Sequence, residues 1–212
     1  QRNEYTLASQ TLDAIPEPTT RLDARLLRSQ IPRRPSTLAK VDGKIYYGLS
    51  MDSLQAIVCG TNRSMLCAFD QATGNLLFEI DTKQLEINGL ALSPDGNTIA
   101  TAGDDGTVKF WDLEAKALLN QFVVSKKVFQ VAWSADGQSI ITASPEPNAK
   151  IWSYPQGQLL REIGSKKVDL ECIASSKANL FAIGDRTGMV RVGEFDSILH
   201  TDSPSDYEDK IG

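Results

Sequence analysis

Apolar and polar residues in the middle of the chain fall into short runs that turn residues interrupt. Between Ser93 and Asp112 the sequence reads SPDGNTIATAGDDGTVKFWD, in which two β-compatible runs flank an Asp-Gly pair. Pro presets one backbone angle of a turn, and Gly tolerates the positive φ that most residues avoid, so both SPDG and DDG predict tight turns. The stretch therefore predicts a β-hairpin, with one strand within 97–102 and the return strand over 107–111.

The same pattern returns along the chain at an interval of about 41 residues. Trp111-Asp112 is matched by Phe69-Asp70 upstream and by Trp152-Ser153 downstream, and a weaker copy ends at Gly193-Glu194. The aligned units span residues 45–80, 87–122, 128–163 and 170–197, and each but the last contains four strand-like runs. Four strands at this period are typical of propeller blades, whereas helical repeats show a 3.6-residue period. The sequence therefore predicts an all-β fold, a β-propeller of about four recognisable blades.

From the SPDG turn through the DDGTVKFWD hairpin, the chain resembles the WD-repeat (WD40) β-propeller family. The unit 87–122 is closest to that family, the unit 128–163 differs in one turn, and the other two resemble it in spacing and apolar positions. The resemblance covers residues 45 to about 197. The resemblance predicts the fold but says little about the chemistry, because one fold can host many functions.

The chain departs from the family in a polar network. Members often carry a Gly-His pair ahead of a blade, whose His bonds a strand hydroxyl and an Asp in the turn between the second and third strands. The only His here is His200, after the last unit, and Asp105 alone has the turn position, which Arg63, Glu146 and Thr187 occupy elsewhere. We therefore expect no such network, and expect apolar packing and strand hydrogen bonds to stabilise the blades.

The equivalent turn of the third unit, Ser144-Pro145-Glu146-Pro147-Asn148, contains two prolines. Proline fixes φ and lacks an N–H donor, so we expect a stiffer and wider loop here. Glu146 is interpreted as part of a diverged exposed turn, with a binding role as the alternative.

Four units are few for a closed propeller, which has about four to eight blades, and the resemblance implies seven. Three interpretations stay open: a fragment of a longer protein, a small or open propeller, and closure by the N-terminus or by another chain. We favour the fragment, because open blade edges and apolar faces require cover.

The two ends of the chain do not follow the repeat. Residues 1–44 form a proline-containing basic arm with a short predicted helix over 21–30, and residues 198–212 form an acidic tail that we expect to be disordered. The arm lacks interleaved aromatic residues and the chain is acidic overall, which disfavours nucleic acid as a partner.

Composition is that of an ordinary soluble domain: 212 residues, a net charge of −5, 41% hydrophobic and 23% charged residues. No apolar run is long enough to predict a membrane span. Three cysteines, an odd number, favour a reducing intracellular compartment, cytoplasmic or nuclear, and we interpret Cys59, Cys67 and Cys172 as buried structural thiols.

Nothing in the sequence indicates catalysis. A nucleophilic triad needs a positioned imidazole, and His200 lies in the tail. No glycine-rich phosphate loop is present, and no carboxylate or His cluster recurs from blade to blade. We therefore predict no enzymatic activity, no cofactor and no metal site.

A second repeat lies within the first. Ser125-Lys126-Lys127-Val128 and Ser165-Lys166-Lys167-Val168 are each in a connection that leads into a new blade, and Lys83 lies in the equivalent connection one unit earlier. The candidate partner-binding residues are Lys83, Lys126, Lys127, Lys166 and Lys167. Clustered lysines favour an acidic or phosphorylated segment; the alternative is that they only solvate the rim.

The sequence thus predicts a non-catalytic protein–protein interaction scaffold that presents a propeller rim to a partner peptide or to a subunit of a larger assembly. In the WD-repeat family partner peptides commonly bind this rim, and the resemblance implies the same surface here. The alternative is a regulatory or sensor propeller segment of a larger multidomain enzyme. Closure could require further blades or another chain.

Overall fold

A computed structural model describes residues 38–146, 148–164 and 170–196. Within these ranges the chain forms fifteen β-strands and one 3-10 turn at Asp52–Leu54. The strands are β1 (Ile45–Met51), β2 (Ala56–Thr61), β3 (Met65–Asp70), β4 (Leu76–Asp81), β5 (Ile87–Leu92), β6 (Thr98–Gly103), β7 (Thr107–Asp112), β8 (Ala117–Val123), β9 (Gln130–Trp133), β10 (Ser139–Ala143), β11 (Asn148–Ser153), β12 (Leu159–Gly164), β13 (Leu170–Ser175), β14 (Leu180–Asp185) and β15 (Val190–Glu194).

The strands form four antiparallel sheets, each in chain order. Blade 1 contains β1–β4, blade 2 contains β5–β8, blade 3 contains β9–β12, and blade 4 contains β13–β15 in the described part of the chain. The first strands of consecutive blades contact each other, β1 with β5, β5 with β9 and β9 with β13. The predicted all-β propeller fold is confirmed.

The turns that the sequence predicts from SPDG and SADG have the same construction in blades 2 and 3. The hydroxyl of Ser93 and the backbone N–H of Asn97 both donate to Asp95, the latter at 3.0 Å. Ser134 and Gln138 bind Asp136 in the same way, at 2.6 and 3.0 Å. These hydrogen bonds lower the pKa of both carboxyl groups, because they favour the ionised form.

The DDG turn of blade 2 joins β6 to β7, as predicted. Gly106 has a φ of +82°, and a Cβ there would lie 2.0 Å from the carbonyl oxygen of Ser125. The turn therefore requires glycine for two reasons: the left-handed backbone and the close approach of the next connection.

The core lies between the blades. Ala100, Val108 and Phe110 on one face of blade 2 are fully buried against blade 3. The Phe110 ring lies 4.7 Å from that of Tyr154 and 5.5 Å from that of Trp133 between centroids. This packing of large apolar residues across a seam is the main apolar burial that joins neighbouring blades.

Several predicted features lie outside the described residues: the helix over 21–30, the acidic tail 198–212, and Lys166 and Lys167. Of the basic arm, only residues 38–44 are described. No helix in the described ranges has the length and apolar character that a bilayer crossing requires.

Candidate interaction surfaces

One end of the blades carries the connections that lead from one blade into the next. Residues 82–86 and 124–129 lie there beside the turns between second and third strands. The N–H of Thr82 donates to the carbonyl of Ser64 at 2.8 Å, and the N–H of Val124 to that of Gly106 at 2.9 Å. We call this end the connection rim.

Lys83 lies on the connection rim, and its ammonium is bound locally. It pairs with Asp81, which also accepts a hydrogen bond from Ser64 at 2.7 Å. The Lys83 ammonium and the Ser64 hydroxyl lower the pKa of Asp81 to about 2. The charge of Lys83 is therefore balanced by a neighbour two residues away.

Lys127 is held in the same manner. Its ammonium lies 2.7 Å from Asp104 and 5.6 Å from the centroid of the Phe129 ring. Asp104 also accepts a hydrogen bond from the side-chain amide of Asn88 at 2.6 Å. Lys127 thus joins the connection of one blade to the turn of the preceding one.

Lys126 is different, because it is exposed and pairs with no carboxylate in the described part of the chain. Among the three candidate lysines that the structure describes, two have a carboxylate partner and one does not. The positive charge available to a partner is accordingly smaller than the sequence suggests.

A buried polar network without a His stabilises blade 2, so our expectation that only apolar packing and strand hydrogen bonds stabilise the blades was wrong. Gln84 is fully buried, and its amide donates to the carbonyl of Thr107 at 3.1 Å while accepting from the hydroxyl of Thr101. The indole of Trp111 donates to that same hydroxyl at 3.0 Å. The Gln84 amide thus supplies the donor and the acceptor that an imidazole would supply.

The sequence contained a signal for this network. Gln84 lies in the connection ahead of β5, where the WD-repeat pattern often has a His. Thr101 and Trp111 are ten residues apart, as are Thr142 and Trp152. In blade 3 the indole of Trp152 donates to Thr142 at 3.0 Å. The position requires only a side chain that can both donate and accept, and glutamine meets that requirement as histidine does.

Glu146 is engaged within its own blade. Its carboxylate accepts hydrogen bonds from the Ser125 hydroxyl and the Lys150 ammonium, both at 2.6 Å, and these lower its pKa. Glu146 lies in a diverged turn and is partly exposed, and both of its carboxylate oxygens have partners.

Sequence reasoning also missed a cation on the third strand of three blades. Each cation pairs with a carboxylate of the adjacent turn: Lys109 with Asp105 at 3.8 Å, Lys150 with Glu146 at 2.6 Å and Arg191 with Asp185 at 3.1 Å. The cations are about 41 residues apart, so their period could have been found in the sequence. Asp105 and Glu146 share this period, whereas Asp185 lies two residues before the equivalent position, Thr187.

The cysteines divide into two classes. Cys59 and Cys67 are buried, as predicted, whereas Cys172 is exposed. The prediction was wrong for Cys172, which lies in β13 on the face of blade 4 that points away from blade 3.

That face of blade 4 is apolar and exposed. Val190 and Val192 are 66% and 62% exposed. The residues one repeat earlier, Ala149 and Ile151, are 0% exposed. In the described part of the chain, the positions that seal blade 3 are therefore exposed in blade 4.

The opposite end of the blades contains a cavity of about 130 Å³ between the SPDG and SADG turns. Asp95, Asp136, Trp133 and Tyr154 line it. Because both carboxyl groups have a lowered pKa and accept hydrogen bonds from their own turns, neither is suited to act as a general acid at neutral pH. Across the described ranges, no group of three or more His, Cys, Asp or Glu side chains could hold a metal ion.

Comparison with known proteins gives similar sequences and a similar fold. Residues 74–112 and 118–153 match the WD40 family model, described as WD domain, G-beta repeat. Human WD repeat-containing protein 3 is 43% identical over 58 residues, and the mouse protein of that name 40% over 58 residues. Each match covers 27% of this chain and 6% of the relative, so the matched stretch spans a small part of those proteins.

A solved structure of U3-55K is similar in fold. The match covers 73% of this chain and 50% of that one, with a TM-score of 0.67. The two sequences are 15% identical, so this likeness bears on the fold alone.

Proposed function

Because this chain carries WD40 repeats arranged as a β-propeller, and such propellers are typically non-catalytic scaffolds, we propose that it is a protein-interaction scaffold without enzymatic activity. Its place is within a larger intracellular assembly. The apolar face of blade 4 is the surface through which it joins that assembly, and the partner presents a further β-blade to it.

The repeat itself supports this proposal. Val108 and Phe110 of blade 2, and Ala149 and Ile151 of blade 3, are all 0% exposed because the following blade covers them. The positions equivalent to Val108 and Phe110, two repeats on, are Val190 and Val192. The single observation that carries the proposal is this contrast: the blade 4 face has apolar residues at the same positions as the two covered faces, yet it is exposed.

Blade 1 does not offer a good partner for this face from a second copy. A blade that receives such a face presents large apolar residues on its first strand, such as Leu90 in blade 2 and Val131 in blade 3, which are 3% and 5% exposed. The equivalent position in β1 is Gly48. The partner is therefore a blade with a fuller apolar surface than β1 provides.

The solution mass of the chain tests this proposal. We expect the wild-type chain to associate progressively with concentration in light scattering, because the blade 4 face is uncovered. The double variant V190K/V192K places two charges on that face and should remain monomeric. The matched variant V123K changes a valine that is 71% exposed on the outer strand β8 and should behave as wild type. Association of V190K/V192K to the same extent as wild type would contradict the proposal, because the exposed face would then not be what drives association.

The exposed position of Lys126 favours a second candidate interaction surface, the connection rim. The rim also carries Lys83 and Lys127, with Lys166 and Lys167 in the next connection along the sequence. We propose that this rim binds an acidic or phosphorylated segment, with Lys126 making the strongest contribution because it has no competing carboxylate in the described ranges.

Anisotropy of a labelled peptide of glutamate and phosphoserine residues tests the rim. Binding should weaken with salt, and K126E should weaken it more than K83E. The control K116E reverses an exposed lysine at the opposite end of blade 2 and should leave binding unchanged. Equal affinities for K126E and K116E would contradict this second proposal.

A further inference from the structure

Two cysteines face each other in the middle of blade 1. In the antiparallel pair β2–β3, Cys59 lies directly opposite Cys67, and the register runs without a shift from Ala56 opposite Asp70 to Gly60 opposite Leu66. The N–H of Gln71 donates to the carbonyl of Gln55 at 2.9 Å, just beyond the start of this register.

The type of this pair follows from the alternation of an antiparallel ladder. Residues opposite each other alternate between hydrogen-bonded and non-hydrogen-bonded pairs. Cys59 and Cys67 lie four opposed pairs on from Gln55 and Gln71, an even number, so they too form a hydrogen-bonded pair, with Cα atoms about 5.5 Å apart. Disulfides span Cα separations of about 4.4–6.8 Å. The Cα separation therefore lies within the range that disulfides span, and the Cβ atoms must come within about 3.5–4.5 Å of each other for the bond to close.

The two thiols also interact. The S–H of Cys67 donates to the sulfur of Cys59, which lowers the pKa of Cys59 and raises that of Cys67. A thiolate forms more readily on Cys59 as a result, and the thiolate is the reactive species of a cysteine.

The equivalent positions are polar in blades 2 and 3. One repeat on, the places of Cys59 and Cys67 are taken by Thr101 and Lys109 in blade 2, and two repeats on by Thr142 and Lys150 in blade 3. Thr101 belongs to the buried network with Gln84, and both lysines are ion-paired. Blade 1 thus has two thiols where blades 2 and 3 have a threonine and an ion-paired lysine.

A segment of the chain covers the thiols. Residues 38–44, which we call the strap, cross this face of blade 1. Near one end, Leu38 lies against the turn at Gly74, and near the other end Asp42 pairs with Arg63. Between them, Ala39 and Val41 pack on the cluster of Cys59, Cys67 and Phe69. Cys59 and Cys67 are consequently only 5% and 3% exposed.

We propose that Cys59 and Cys67 form a dithiol site that closes to an intramolecular disulfide on oxidation by a peroxide, and that the strap controls access to it. The Cys59 thiolate attacks one oxygen of hydrogen peroxide and breaks the O–O bond, giving a sulfenic acid and a hydroxide that takes up a proton. The Cys67 sulfur then attacks the sulfenic sulfur, forms the S–S bond and releases the second oxygen as water. One peroxide and two thiols yield one disulfide and two waters.

Peptide mapping tests the bond. Trypsin cleaves after Lys44, Arg63 and Lys83, so the two cysteines fall in separate peptides, 45–63 and 64–83. The folded C172S chain, treated with hydrogen peroxide and then alkylated, should yield these two peptides joined and two hydrogens lighter than their sum. The single variants C59S and C67S in the same background should yield none of the joined species. Separate alkylated peptides from the oxidised C172S chain would overturn the proposal.

The role of the strap has its own test. V41S removes apolar cover from the thiols, and the joined peptide should then form several-fold faster. V123S makes the same substitution at an exposed valine of β8 and should leave the rate unchanged. Thermal melting confirms that both variants remain folded at the temperature of oxidation. Equal rates for V41S and V123S would overturn the role of the strap, and a joined peptide that forms only in denaturant would overturn the site as a whole.

Discussion

Blade 2 and blade 4 present equivalent residues to the neighbour that follows, but among the described residues only blade 2 has one. Val108 in β7 and Val190 in β15 are the same residue at the same place, two repeats apart, and they are 0% and 66% exposed. The two strands therefore encode the same apolar face, and burial is decided by the next blade. A repeat protein stores much of its stability in such interfaces between neighbouring units.

The largest effect should come from removing the aromatic centre of the sealed seam. Phe110 is fully buried among Phe122, Trp133 and Tyr154. F110A should lower the free energy of unfolding by about 3–5 kcal/mol, because it removes a large apolar surface and leaves a cavity. Urea unfolding followed by tryptophan fluorescence measures this.

V192A is the counterpart of F110A on blade 4, since Val192 occupies the equivalent position and is 62% exposed. It should change the free energy of unfolding by no more than about 0.5 kcal/mol. If V192A were as destabilising as F110A in a dilute chain, the blade 4 face would be covered, and the contrast between the blades would not hold.

A matched pair of substitutions sharpens the comparison. V108A and V190A remove the same two methyl groups from equivalent positions. V108A should cost about 2 kcal/mol, the sum of lost burial and the cavity that remains. V190A should cost less than about 0.5 kcal/mol. The difference between the two midpoints of urea unfolding measures what the neighbouring blade contributes at one side chain, and equal midpoints would contradict it.

The fold could be predicted from sequence because each repeat contains several independent signals at equivalent positions. Asp95-Gly96 and Asp136-Gly137 mark equivalent turns, and Trp111 and Trp152 mark equivalent strands. Each local choice agrees with its counterpart one period away, so errors in a single segment do not change the architecture.

The candidate surfaces were harder to predict, because they depend on which side chains meet. The periodicity placed Lys83 and Lys127 in connections between blades, but it could not give the carboxylates that bind them, Asp81 and Asp104. Likewise the sequence contains Cys59 and Cys67, but only the register of β2 and β3 places one opposite the other. Contacts between distant side chains are set by three-dimensional packing, which a period of 41 residues does not predict.

Removing the polar network of blade 2 should have a smaller effect on the free energy of unfolding than removing the apolar core residues. Q84A removes the amide that binds Thr101 and Thr107, and it should cost about 1.5 kcal/mol, because buried polar groups lose their partner. S125A changes the equivalent position of blade 3, where the partly exposed side chain binds Glu146, and should cost less. Q84H, which restores a donor and an acceptor, should recover part of the loss. A Q84A chain as stable as wild type would show that the network is dispensable.

The smallest effect concerns the turn of blade 4, which an ion pair and several hydrogen bonds stabilise. Thr187 donates to Asp185 from its hydroxyl and its N–H, and Arg191 lies 3.1 Å away, so the pKa of Asp185 is lowered from 3.8 to about 2. A depressed pKa in the folded state means that this contribution is fully present above about pH 4 and is lost as the pH falls toward 2. The melting temperature of wild type should therefore fall more steeply over that interval than that of D185N, which has no proton to bind there. D196N, at an exposed carboxylate beyond the last strand, should follow the wild-type curve. Parallel curves for D185N and wild type would show that the turn of blade 4 draws no stability from this carboxylate.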